Sequence, residues 1–134
     1  ESSKFSSINN DTLSLKASKL RAHNSEIFSS GDGCLDLEIS AAAIYSSKLS
    51  TSTPSGDKAF DLEYNSTLFL ESSTISSFSE KSGDVQSGSL LRLDYLQLLN
   101  GFLYCDKTGI VVSNGGLNPE NNEHINSSCI LLNE

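Results

Sequence analysis

Tyr45-Ser46-Ser47-Lys48-Leu49-Ser50 is the stretch that decides the fold, because the chain writes this line four times. It recurs around Ser2-Ser3-Lys4-Phe5, around Asn24-Ser25-Glu26-Ile27 and as Ser72-Ser73-Thr74-Ile75. Stacking the four lines puts Phe5, Ile27, Leu49 and Ile75 in one column, whose steps along the chain are 22, 22 and 26. A second column, Leu13/Leu15, Leu35/Leu37, Phe60/Leu62 and Leu91/Leu93, advances by 22, 25 and 31. A third, Ser30-Gly31-Asp32, Ser55-Gly56-Asp57 and Ser82-Gly83-Asp84, advances by 25 and 27. Self-similarity with a period in the twenties marks a solenoid, in which a unit buries its apolar face only against the next unit.

Within one repeat the order of signals is constant. A short alternating segment such as Leu35-Asp36-Leu37-Glu38-Ile39 places apolar residues at every second position, the period of a strand with one face inward and one in water. A second apolar patch follows, Leu20/Ala22, Ala42/Ile44, Leu68/Leu70 and Phe102/Tyr104, and then the Ser-Ser-x-apolar line reads as a third strand. The Ser-Gly-Asp segment reads as the turn that closes the coil, since glycine accepts positive φ and aspartate forms Asx turns. Three strands per turn with loops of varying length predict an all-β protein, a right-handed parallel β-helix of about five coils of 22–31 residues. No apolar stripe persists at i, i+3, i+4 and i+7, so helices are not expected. The Leu-x-x-Leu-x-Leu-x-x-Asn pattern of leucine-rich repeats is absent.

The 134 residues suit one domain, and 27 of them are serine. The formal charge of −8 argues against nucleic acid as a partner, because phosphates select a basic face, and against adsorption on anionic membranes. There is no apolar run long enough to span a bilayer, nor a recognisable signal peptide. Coils are expected over residues 1–117, and 118–134 read as a polar loop followed by a final partial coil, with Ser127-Ser128-Cys129-Ile130 restarting the repeat. The chain contains no Met and its first residue falls inside a repeat, so a segment of a longer solenoid is expected. Cys34, Cys105 and Cys129 fit neither a zinc motif nor a dense disulfide framework. Cys105 and Cys129 pair if they lie on adjacent coils; otherwise they are small buried thiols.

This coil grammar resembles the pectin-lyase-like parallel β-helix superfamily, which includes polysaccharide lyases and hydrolases, phage tailspikes and autotransporter passenger regions. Ala42-Ala43-Ile44-Tyr45-Ser46-Ser47 is also similar to the Gly-Gly-Ala-Ile repeat of chlamydial polymorphic membrane proteins, but lacks its glycines and the partner Phe-x-x-Asn repeats. The resemblance to passenger regions implies an adhesin or a scaffold, secreted or held at the cell surface, with a host-surface protein or glycan as partner. The resemblance to tailspikes implies the alternative, a β-helix that binds glycans or degrades polysaccharides.

The candidate site follows from the second column. Aligning those strands stacks Ser14, Asp36, Asp61 and Arg92 in one outward row, and Lys16, Glu38, Glu63 and Asp94 in the next. Neighbouring strands lie about 4.8 Å apart, so Asp36, Glu38, Asp61, Glu63 and Asp94 are expected to form an acidic patch edged by Lys16 and Arg92. Carboxylates at that spacing repel, which raises their pKa values or recruits a hard cation such as calcium. Paired carboxylates also serve as acid and base in glycoside cleavage. The plainer expectation is a solvated face with Lys16–Glu38 and Asp61–Arg92 pairs. No cofactor motif and no Ser/His/Asp triad is present, and His23 and His124 read as surface residues. The columns Ser2/Asn24/Ser46/Ser72 and Ser3/Ser25/Ser47/Ser73 read as hydrogen-bonded ladders that could alternatively present hydroxyls to a glycan or to ice. The sequons at Asn10, Asn65 and Asn126 carry meaning only in a eukaryotic secretory context.

Overall fold

In the computed structural model, residues 2–8, 10–52, 58–77, 81–99, 102–106, 108–114, 117, 118, 125 and 129–133 are described. Among them the chain is all strand, arranged in three parallel sheets that stack as a β-solenoid.

The first sheet collects the four repeated lines as β1 (Lys4–Ser7), β4 (Glu26–Ser29), β7 (Lys48–Thr51) and β10 (Thr74–Ser76), and is extended by β13 (Leu96–Leu98) and β16 (Leu117–Asn118). The second sheet holds β2 (Leu13–Lys16), β5 (Leu35–Glu38), β8 (Phe60–Glu63), β11 (Lys81–Val85) and β14 (Phe102–Cys105). The third holds β3 (Lys19–His23), β6 (Ala41–Tyr45), β9 (Thr67–Glu71), β12 (Leu90–Asp94), β15 (Ile110–Ser113) and β17 (Ile130–Asn133). Phe5, Ile27, Leu49 and Ile75 share one register, as the repeat predicts, and Leu98 extends it; all but Phe5 and Leu98 are completely buried.

The fourth coil departs from the expected alignment. Leu91 and Leu93 pair with Leu68 and Leu70 in the third sheet rather than with Phe60 and Leu62. The second-sheet place is taken by β11, where Gly83, Asp84 and Val85 pair with Phe60, Asp61 and Leu62. Ser82-Gly83-Asp84, expected as a turn, is therefore strand. The reason is steric. A Cβ on Gly83 would run into the Phe60 ring, so glycine supplies the space that this large side chain needs. The long apparent step from Leu62 to Leu93 is replaced by a shorter one, from Leu62 to Val85, in keeping with the earlier coils. The same slip reverses Phe102 and Tyr104: Leu103 and Cys105 point inward on β14, while Phe102 is 38% exposed. Ser30-Gly31-Asp32 does form a bend, and Ser55-Gly56-Asp57 lies outside the described residues. Ile130, expected to restart the Ser-Ser-x-apolar line, lies instead in the third sheet, where β17 runs one coil beyond β15 with Ile130 beside Ile110.

Two columns of turns join the sheets. Between the second and third sheets, Ala17, Ile39, Tyr64 and Ser87 have positive φ; between the third and first, Asn24, Ser46, Ser72 and Tyr95 do. A serine follows closely in nearly every case and closes the turn. The Ser18 N–H donates to Ser40 Oγ at 3.0 Å, Ser40 N–H to Ser66 Oγ at 3.1 Å, and Ser66 N–H to Ser89 Oγ at 3.0 Å. In the other column Ser25 N–H donates to Ser47 Oγ at 3.0 Å and Ser47 N–H to Ser73 Oγ at 3.2 Å. The Ser66 hydroxyl in turn reaches the carbonyl oxygens of Glu63 at 2.6 Å and Leu37 at 2.8 Å. The serine ladders thus have a structural role, supplying hydrogen-bond partners to backbone that the turns would leave buried and unpaired. In the fifth coil Asp106 and Thr108 take over this role, receiving the N–H groups of Ser87 at 2.7 Å and Gly88 at 2.8 Å.

Cys105 and Cys129 form a disulfide with a Cα–Cα distance of 4.9 Å, whereas Cys34 is a buried thiol whose Sγ donates to the carbonyl oxygens of Ile27 at 3.4 Å and Ser50 at 3.2 Å. No helix among the described residues is long and apolar enough to cross a membrane.

Candidate functional site

The acidic patch lies on the outer face of the second sheet, where alternation turns every other side chain to solvent. Asp36 stands beside Asp61, and Glu38 beside Glu63, in strict register. Asp94 does not join them, because the fourth-coil slip carries it to the third sheet, beside Glu71. Asp84 takes the place next to Asp61. Arg92 leaves with Asp94: its Nε lies 3.8 Å from Asp94 and its guanidinium sits 5.8 Å above the Phe69 ring. Instead of an Asp61–Arg92 pair the patch contains Lys58, whose Nζ lies 2.5 Å from Asp61 and 3.4 Å from Asp84. Lys16 pairs with Glu38 at 3.1 Å, as the column predicts.

Asp11 and Asp32, from the turns before β2 and β5, complete a groove above the patch. Gly33 lets Asp11 approach, since a Cβ there would meet the Asp11 carboxylate at 2.7 Å. Burial pushes Asp11 up to about 6, and the fields of Asp32, Asp36 and Asp61 push in the same direction against Lys58. Glu63 is raised as well, chiefly by burial and then by Asp61, Asp36 and Glu38. For Lys58 burial works against its charge, but the hydrogen bond and charge of Asp61, followed by Asp84, outweigh it and raise its pKa. Asp11 therefore takes up a proton as the pH falls through about 6, and the Lys58 ammonium lies among the carboxylates of the groove. Among the described residues no three acidic, histidine or cysteine side chains converge to hold a metal ion.

Lys58, Asp11 and Asp84 escaped the sequence reading. Lys58 and Asp11 sit in turns, where no period marks them, and Asp84 was hidden by reading its strand as a turn. A further surface was missed altogether, the outer face of the third sheet. Its outward residues are Lys19, Arg21 and His23 on β3, Ala41, Ala43 and Tyr45 on β6, and Thr67, Phe69 and Glu71 on β9. The next strands add Leu90, Ile110, Val112 and the half-exposed Ile130 and Leu132. His23 stacks on Tyr45 with centroids 4.5 Å apart and accepts a hydrogen bond from Arg21 Nε at 3.0 Å. Tyr45 meets Phe69 edge to face at 5.6 Å, leaving Ala41 and Ala43 as the floor of a shallow notch. The signal in the sequence was the set of odd positions in Ala41-Ala42-Ala43-Ile44-Tyr45, which are as apolar as the even ones. His124 lies outside the described residues.

Comparison with protein-family models, curated proteins and solved structures finds no match to this chain.

Proposed function

We propose that this chain is a non-catalytic β-solenoid segment of a secreted or surface-displayed protein, a rigid stalk whose outer faces bind a host-surface protein or glycan. The observation that carries the reading is the disulfide between Cys105 on β14 and Cys129, which ties two neighbouring coils together. Such bonds persist in oxidising compartments and are rare where thiols are kept reduced. The parallel ladders continue through five or six strands in each sheet, which gives the segment the stiffness a stalk needs. The test is adhesion without turnover: beads coated with the chain should be retained on surfaces bearing extracellular proteins or glycans. Incubation with polygalacturonate or other acidic polysaccharides should release no new reducing ends.

The acidic groove favours one alternative, a β-helix of tailspike type that binds or cleaves glycans. There Asp11, which burial pushes up to about 6, shares one groove with Asp36 and Asp61, and a carboxyl raised in this way is suited to an acid role. Release of reducing ends that is lost in an Asp11→Asn variant would favour this alternative and overturn the scaffold reading.

A further inference from the structure

The third sheet presents outward a surface that an isolated solenoid would not leave bare. Parallel sheets are normally covered on both faces, and exposed apolar patches on soluble chains mark contacts. The outer face of the second sheet is acidic. The third combines apolar side chains with charges of both signs, Lys19, Arg21 and Arg92 against Glu71 and Asp94, and Lys19 and Arg21 make no ion pair with a carboxylate among the described residues. In a chain of net charge −8, this is where a second acidic chain can approach without a wall of like charge.

We infer that this face joins two copies of the chain, packed sheet on sheet about a two-fold axis parallel to the strands and lying between β6 and β9. The surface is complementary to itself under that operation. Ala43 and Phe69 occupy matching positions on β6 and β9, since the two pair in register. The axis sets Phe69 of each copy over the alanine notch of the other, a projecting ring in a shallow hollow. It also brings His23, at the end of β3, opposite Asp94, at the end of β12, in both directions. Tyr45 falls opposite Glu71, a hydrogen-bond acceptor for its hydroxyl. Arg21 then faces Arg92, whose charge is already offset by Asp94. An isologous contact of this kind closes on itself and stops at the dimer.

Four strands at about 4.8 Å spacing and five residues at about 3.3 Å give a footprint of roughly 19 by 16 Å. That is smaller than a permanent dimer buries, so the association belongs to the weak, reversible class. The inference does not depend on the scaffold reading, because it concerns one face and not where the protein is displayed.

The test is sedimentation of the full chain from roughly 10 µM to 1 mM, the range in which small interfaces assemble. The wild type should move from monomer to dimer mass. Phe69→Glu and Ala43→Glu, on opposite sides of the proposed contact, should each weaken association by at least about tenfold while keeping the wild-type circular dichroism. Both positions face outward, and if one variant misfolds the other decides. A wild type that stays monomeric at the highest concentration overturns the proposal and leaves the face to a different partner. So does dimerisation unaffected by either substitution, or dimerisation abolished instead by Leu132→Glu, which would place the contact at the end of the solenoid.

Discussion

The interior columns and the turn columns of this solenoid solve the same stacking problem with different tolerance. Along the interior of the second sheet the residues run Leu15, Leu37, Leu62, Val85 and Cys105, and Phe60 is followed by Gly83. Along the turn between the second and third sheets they run Ser18, Ser40, Ser66 and Ser89 without change. Dispersion and burial have no direction, so the interior needs only that volumes sum correctly from coil to coil. A relay of N–H to Oγ bonds is directional and short, so each position needs an oxygen acceptor held at one place.

The largest expected effect comes from emptying an interior position. Leu37 is completely buried between Leu15 and Leu62, and Leu37→Ala should cost about 2–5 kcal/mol through lost burial and the cavity left behind. Denaturation midpoints measure it directly. If the interior really trades volumes, Gly83→Ala should cost about 1–3 kcal/mol by overpacking against Phe60. The double variant Phe60→Leu/Gly83→Ala should then recover much of that loss. A double-mutant cycle without such coupling would break the contrast.

Turn serines should behave differently, because no volume change can compensate for them. Ser66→Ala removes the acceptor of the Ser40 N–H, a buried group, and should cost about 1–3 kcal/mol. Ser66→Cys, close in size, should recover little. Equal stability of the cysteine variant and the wild type would mean that shape rather than hydrogen bonding sets the turn.

The outward carboxylates stack as regularly as the interior does, but at an electrostatic cost. Asp11 has a folded-state pKa of about 6, above its ordinary value of 3.8, so the native state binds this proton more tightly than the unfolded chain. Its contribution to stability is fully present below the unfolded value and is lost as pH rises through about 6. Because solvent still reaches Asp11 in part and screens it, the change between about pH 5 and 7 should be only about 1 kcal/mol. It should vanish in Asp11→Asn, as urea midpoints at the two pH values would show.

The smallest effect, and the only gain, is expected at Ile39. It holds a φ of 50° while 68% exposed, an unfavourable backbone for a β-branched residue that packs against little. Ile39→Asn should stabilise by about 0.5–1 kcal/mol, since asparagine tolerates this conformation.

The difference between the two kinds of column also explains what could be read in advance. The first three coils were legible because Phe5, Ile27, Leu49 and the serines before them recur at one constant interval, and a directional ladder punishes drift. Beyond Leu62 the interior changes size freely, so Leu91/Leu93 looked like the next member of a column to which Gly83/Val85 belongs. That one substitution of volume displaced Asp94 and Arg92 from the acidic patch and concealed Asp84. The groove residues Lys58 and Asp11 sit in turns of irregular length, where position in space is set by the coil and not by spacing along the chain. The apolar outer face was visible as a pattern with no period of two, but an all-apolar strand such as Ala41–Tyr45 reads equally well as simple core.

The buried serines also bear on covalent modification. A chain with 27 serines looks densely supplied with sites for phosphate or sugar transfer. Ser40, Ser47, Ser66, Ser73 and Ser89 are nonetheless enclosed and engaged, so a transferase could reach them only by first unwinding a coil. The hydroxyls open to a kinase or glycosyltransferase in the folded protein are those at the outer corners, such as Ser46, Ser72 and Ser87. Modification confined to those corners would mark a chain that met the enzyme after folding, and modification at Ser66 would mark one that met it before.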